Sequence, residues 1–75
     1  MKATLVFDLP EEQNEFNFAT QGSDWWHVCW EMDQWLRANI KYAPDEQSDE
    51  VFEAYELCRE ELRKIIEDKG LNLDQ

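Results

Sequence analysis

Glycine, proline, cysteine and histidine are scarce in this 75-residue chain, with two, two, two and one copies respectively. Two glycines are too few for a Gly-rich phosphate cradle. A single histidine leaves no second imidazole for a helix-borne metal set, and Cys29 and Cys58 do not have a zinc-ligand spacing. Basic residues are also few: seven against eighteen acids, for a net charge of −11. Phosphates and anionic headgroups would be repelled, so neither nucleic acid nor an anionic membrane is expected as a direct ligand. No apolar run approaches the ~20 residues of a membrane span. Met1 to Asp8, with one lysine and few apolar residues, is too short for a signal-peptide core. The expected setting is reduced and cytoplasmic, with both thiols packed as small core residues.

What the chain does have is apolar and aromatic material. Hydrophobic residues make up 43%, and four of the aromatic residues are tryptophan. Disordered acidic tails are poor in such residues, so a packed core is expected. The length allows one domain, 1–75, burying about 60–65% of the surface that the unfolded chain exposes. The surplus of negative charge weakens the compact state while steering it toward basic partners, such as a protein groove that otherwise holds nucleic acid.

Hydrophobic periodicity gives the elements. Residues 2–7 alternate as a short strand, with Ala3, Leu5 and Phe7 on one side. Asp8-Leu9-Pro10-Glu11 opens a first helix, with Asp8 and Glu11 placed as a capping box, and the helix stops near Gln21-Gly22. Ser23 caps a second helix reaching about Tyr42. Its broad apolar face carries Trp25, Val28, Cys29, Met32, Trp35, Leu36 and Ile40, and Trp26 and Trp30 flank it next to Asp33 and Arg37. Ser48 caps a third helix reaching Lys69, with Gly70 as the residue that ends it. Val51, Tyr55, Cys58, Leu62, Ile65 and Ile66 form its stripe. Leu71 to Leu73 reads as a second short strand or a packed tail. The expected fold is mainly α: a small three-helix domain with a short N-terminal β-strand. That strand needs a partner, which is residues 71–73, the same strand of a second copy, or a sheet edge on a target.

No constellation completes an active site. Asp24, His27 and Glu31 share helical spacing, but His27 falls on the polar side and reads as a solvated histidine. A Cys29–His27 nucleophile is ruled out by the ~160° between the two on the wheel. Enzyme is therefore the least expected class, and no cofactor or metal is implied. Two features are more informative. From Asp45 to Glu61 there are eight acids and one base, Arg59. Like charges at i,i+3 and i,i+4 cost helix stability, so Asp49, Glu53, Glu56 and Glu60 are candidates for contact with a basic partner rather than a merely solvating face. Trp26 and Trp30 either close the core against Phe16 and Phe18 or stand exposed as binding anchors.

Leu9-Pro10-Glu11-Glu12-Gln13, the run from Trp30 through Met32 and Trp35 to Arg37, and Ile40-Lys41-Tyr42 together resemble a family of very small open reading frames in tailed bacteriophage genomes. The resemblance spans most of the chain. It implies a phage setting, in which small acidic proteins act inside the infected bacterial cell by binding and disabling host enzymes or defence systems. The expected function is that of a non-enzymatic inhibitor or modulator. Its partner would be a host or phage protein with a basic surface, bound in part by nucleic-acid mimicry. The alternative is a small structural protein that self-associates, as a homodimer, through its N-terminal strand.

Overall fold

The computed structural model describes residues 1–74, which form three helices: α1 (Gln13–Thr20), α2 (Gly22–Lys41) and α3 (Asp49–Asp68). Only Gln21 separates α1 from α2. Its N–H donates to Asn17 O and its carbonyl accepts from Trp25 N–H, so the hydrogen-bond ladder carries across it with a local distortion. The chain then turns through residues 42–48 and α3 runs back antiparallel along α2. Gln47 reaches Asn39, Tyr55 meets Trp35 edge-on at 5.6 Å, and Arg59 and Arg63 meet Asp33. The result is elongated, 55 × 29 × 19 Å with a radius of gyration of 17.5 Å.

Two seams spaced alternately three and four residues apart hold the hairpin together. On α2 they are Trp26, Cys29, Asp33, Leu36 and Ile40; on α3, Phe52, Tyr55, Arg59, Leu62 and Ile66. All ten are buried or half-buried. This is the 3.5-residue repeat by which two helices keep one edge in contact as they coil. The buried apolar core is small: Leu36, Ile66 and Leu73.

The ends of α3 are set by local chemistry. Ser48 has extended backbone angles, and its hydroxyl oxygen accepts a hydrogen bond from Val51 N–H at 3.3 Å, as expected of its N-cap. Gly70 has φ +70°, a left-handed angle that costs glycine least, and Leu71 N–H donates to Ile66 O across it. That turn sends Leu71–Asp74 back over the hairpin and buries Leu73.

Several expectations are corrected. Among the described residues there is no strand. Residues 2–6 are exposed, and of this segment only Phe7 packs, edge-on to Phe16 at 5.8 Å. The alternation of 2–7 is real, but no neighbouring edge offers ladder partners, and an unpaired strand gains nothing over solvated backbone. Residues 71–73 are the packed tail, not a second strand. Helix one begins later than expected, at Gln13. Residues 9–12 form a turn in which Glu12, not Glu11, answers Asp8. Helix two begins at Gly22, with Gln21 before it and no side-chain cap, so Ser23 is inside the helix.

A charged side and a bare apolar side

The seam gives a rule for the rest of the hairpin. At about 100° per residue, the position after each seam residue turns to one side. Because the helices are antiparallel, that side is the same for α2 and α3. The position before each seam residue turns to the opposite side of both.

The side following the seam is charged. It receives Glu53, Glu56, Glu60, Arg63 and Glu67 from α3, with Asp49 in the same row once the seam is extended back to Ser48, and His27, Trp30, Gln34, Arg37 and Lys41 from α2. Glu56 and Glu60 line a shallow polar groove with Arg59, Arg63 and Lys64. Of the six candidate contact residues, Asp49, Glu53, Glu56, Glu60 and Trp30 thus share one side. Trp26 belongs to the seam itself, half-buried, with its ring stacked on Trp30 at 6.2 Å between centroids. Trp30 is 41% exposed. The Trp26 indole Nε1 is enclosed and has no acceptor among the described residues.

Between the two sides sits Asp33, with no exposed surface. Its Oδ1 accepts from Arg59 Nε (3.1 Å) and Arg63 Nε (2.9 Å), and its Oδ2 from Arg59 Nη2 (3.3 Å) and Arg63 Nη2 (2.7 Å). Both guanidinium groups therefore bind bidentately, the strongest geometry for this pair. The Arg63 hydrogen bonds do most to hold the Asp33 carboxyl down to about 2, with Arg59 adding to them, while burial pulls the other way. Arg63 is shifted upward by the same contact, and its Nη1 reaches Asp74 at 3.1 Å, tying the tail to the hairpin. Such a carboxyl stays ionised and is a positioning group, not a proton donor. Arg59 and Arg63 stand one turn apart, so sliding α3 by a turn would leave Asp33 buried with only one of its two cations, and the full network favours the observed register of the two helices.

Asp33 was not among the expected site residues. The signal lay in the spacing: 26, 29, 33, 36 and 40 put an acid in register, and 52, 55, 59, 62 and 66 put an arginine in the facing register. A wheel built at 3.6 residues per turn spreads these positions over a broad face and assigns Asp33 to its flank.

No family model, curated protein or solved structure matches this chain.

His27 is exposed, as expected, and its Nδ1 donates to Ser23 O at 2.7 Å. The thiols do not behave as a buried pair: Cys29 is half-buried and Cys58 exposed. Trp25 and Trp35, expected in the core, are 58% and 54% exposed. They precede seam positions, so Trp25 turns to the bare side and Trp35 keeps only its edge contact with Tyr55 of α3. Near the open end of the hairpin, Trp25, Trp26 and Cys29 of α2 face Ile66, Leu71 and Leu73 across an apolar groove of about 660 Å³.

Proposed function

We propose that this chain acts by binding, without chemistry of its own, to a protein that presents a basic surface, and that it inhibits or modulates that protein. The observation that carries the reading is the disposition of charge. Asp33 and Asp74 take every ion pair found among the described residues, whereas Asp49, Glu53, Glu56 and Glu60 take part in none. The row covers about 16 Å of helix and has Trp30 on the same side of the hairpin. Carboxylates and an exposed indole side by side suit a partner that offers lysines or arginines around an apolar pocket.

A host enzyme that handles nucleic acid, or a defence protein, inside an infected bacterial cell is the setting that fits the acidity and the phage resemblance. The row imitates a duplex only sparsely, since its carboxylates stand ~5–6 Å apart along the axis against one phosphate charge per ~1.7 Å in DNA. Self-association through the N-terminal strand has lost its basis, because residues 2–7 form no strand. The test is capture from bacterial lysate on immobilised protein at low and high salt, with and without duplex DNA as competitor. A basic protein retained at low salt and displaced by DNA supports the reading. Retention indifferent to both salt and DNA sinks it.

A further inference from the structure

The side of the hairpin that precedes the seam is apolar and uncovered. On α2 it carries Trp25, Val28, Met32 and Trp35, each half or more exposed. On α3 it carries Val51, Ala54, Cys58 and Ile65, also exposed, with Glu61 as the single acid among them. We propose that a second copy of this chain covers this side, making a four-helix dimer of two hairpins.

Three observations choose a second copy over another occupant. The first is area. A compact 9.1 kDa protein exposes about 4,900 Å², whereas this chain exposes 6606 Å². Part of that excess is the extended N-terminal segment, residues 1–6. The bare side holds the rest in common with the helix ends: Trp25, Val28, Met32, Trp35, Val51 and Ile65 are each 45% or more exposed, and a stable pair of proteins buries ~800 Å² per partner.

The second is spacing. Positions 25, 28, 32 and 35, like 51, 54, 58, 61 and 65, repeat the alternate three-and-four pattern of the inner seam. Each helix therefore has two adjacent seams, as the helices of an antiparallel bundle require. The internal hairpin uses only one of them.

The third is shape. The α2 stripe is bulky at Trp25, Met32 and Trp35, and the α3 stripe is small at Ala54 and Cys58, with Glu61 and Ile65 toward its C-terminal end. A two-fold axis parallel to the helices lays α2 of one copy over α3 of the other, so large side chains meet small ones twice. An isologous contact must be complementary to itself in this way.

Charge does not prevent the pairing, because the acidic row lies on the opposite side. It does set the direction of the salt effect. Two chains of −11 each repel, and salt screens that repulsion. Dimerisation therefore strengthens with salt, while attachment to a basic partner weakens, so failure of one proposal is distinguishable from failure of the other.

The experiment is mass measurement by light scattering at about 0.1 mM protein, where a Kd of micromolar order gives nearly complete dimer, at low and moderate salt. The wild-type chain is expected at twice 9.1 kDa, with the dimer favoured by added salt. The double variant Val28→Glu/Met32→Glu is expected to keep its helicity, since both positions are exposed, and to fall to a single chain. Ala54→Trp keeps the side apolar but fills the narrow stripe, and is expected to weaken association tenfold or more. A wild-type mass of one chain overturns the proposal and leaves this side to a different partner. A dimer that weakens with salt, that survives Val28→Glu/Met32→Glu, or whose Kd on dilution is unchanged by Ala54→Trp, also overturns it. If the charged variant loses helicity, the milder Val28→Ala/Met32→Ala pair decides the matter, because alanine favours helix and only the contact is removed.

Discussion

Arg63 Nη2 lies 2.7 Å from Oδ2 of Asp33, a carboxylate with no surface of its own in water. Each guanidinium side chain retains 31% exposure, so the cations keep part of their hydration while the anion has lost all of it. The arrangement is stable only as a set. Asp33→Ala leaves two like charges side by side over the seam and is expected to cost about 3 kcal/mol, the lower end of the range for breaking a buried ion pair. In a domain of this size that lowers the melting temperature by on the order of 10–20 °C. Arg63→Ala should cost more than Arg59→Ala, because Arg63 also holds Asp74. Thermal unfolding of the three variants checks the order, and an Asp33→Ala protein that melts with the wild type would show the network to be incidental.

The same carboxylate gives a pH dependence of known sign. Its pKa falls from the ordinary 3.8 to about 2 on folding. The stability it contributes is complete above the unfolded value and is lost as pH falls through the folded one. Compared with Asp33→Asn, the wild type should hold a constant advantage near neutrality. That advantage should shrink by on the order of 2 kcal/mol between about pH 4 and pH 2. The difference between the two proteins is the quantity to measure, since the other carboxylates protonate in the same window and shift both. A difference that stays flat to pH 2 would place Asp33 outside the ion network in solution.

Much of the fold was legible in the sequence, and the misses share a cause. Ser48, Gly70 and the helix between them follow from cap and turn chemistry acting within a few residues. The extent of α2 follows from its periodicity. Trp25, Trp35 and Cys58 were misplaced because hydrophobicity shows that a side chain favours burial, not whether its own chain provides the cover. Here α3 covers one seam and leaves the adjacent one bare. The N-terminal strand failed for a related reason: alternation in residues 2–7 describes a backbone suited to pairing, and pairing needs an edge that the chain does not supply. Of the candidate contact residues, the acids and Trp30 prove to share a side. Asp33 was missed because its partners lie on another helix, beyond the reach of i,i+4 reasoning.

Deleting Met1 to Val6 should leave the hairpin intact. Those residues are exposed, and the packed residue of the segment, Phe7 against Phe16, remains. Helicity and melting temperature are expected to match those of the full chain to within a few degrees. Had residues 2–7 been a ladder strand, removal would have unfolded the domain or changed its mass. A large loss of stability on truncation would mean that the segment packs in solution against something not seen here.

The acidic row is the element whose removal speaks most directly to function. Replacing Asp49 by Asn and Glu53, Glu56 and Glu60 by Gln removes four charges from one side of the hairpin without touching either seam. Stability should change little. Repulsion between Asp49 and Glu53 and between Glu56 and Glu60 is relieved, while the favourable Glu60–Lys64 spacing and the charge of Asp49 at the helix start are lost. Association with a captured basic partner should slow several-fold at low salt and converge with the wild-type rate at high salt, because such charges act mainly on encounter. Trp30→Ala should act on the other rate. Its ring is 41% exposed and stacks on Trp26, so its loss costs the fold about 1 kcal/mol but removes an anchor whose absence speeds dissociation. If the neutralised protein binds at the wild-type rate while Trp30→Ala releases quickly, the aromatic contact alone carries the interaction. If neither variant alters either rate, the charged side is not the binding surface and the acids serve only to keep the protein in solution.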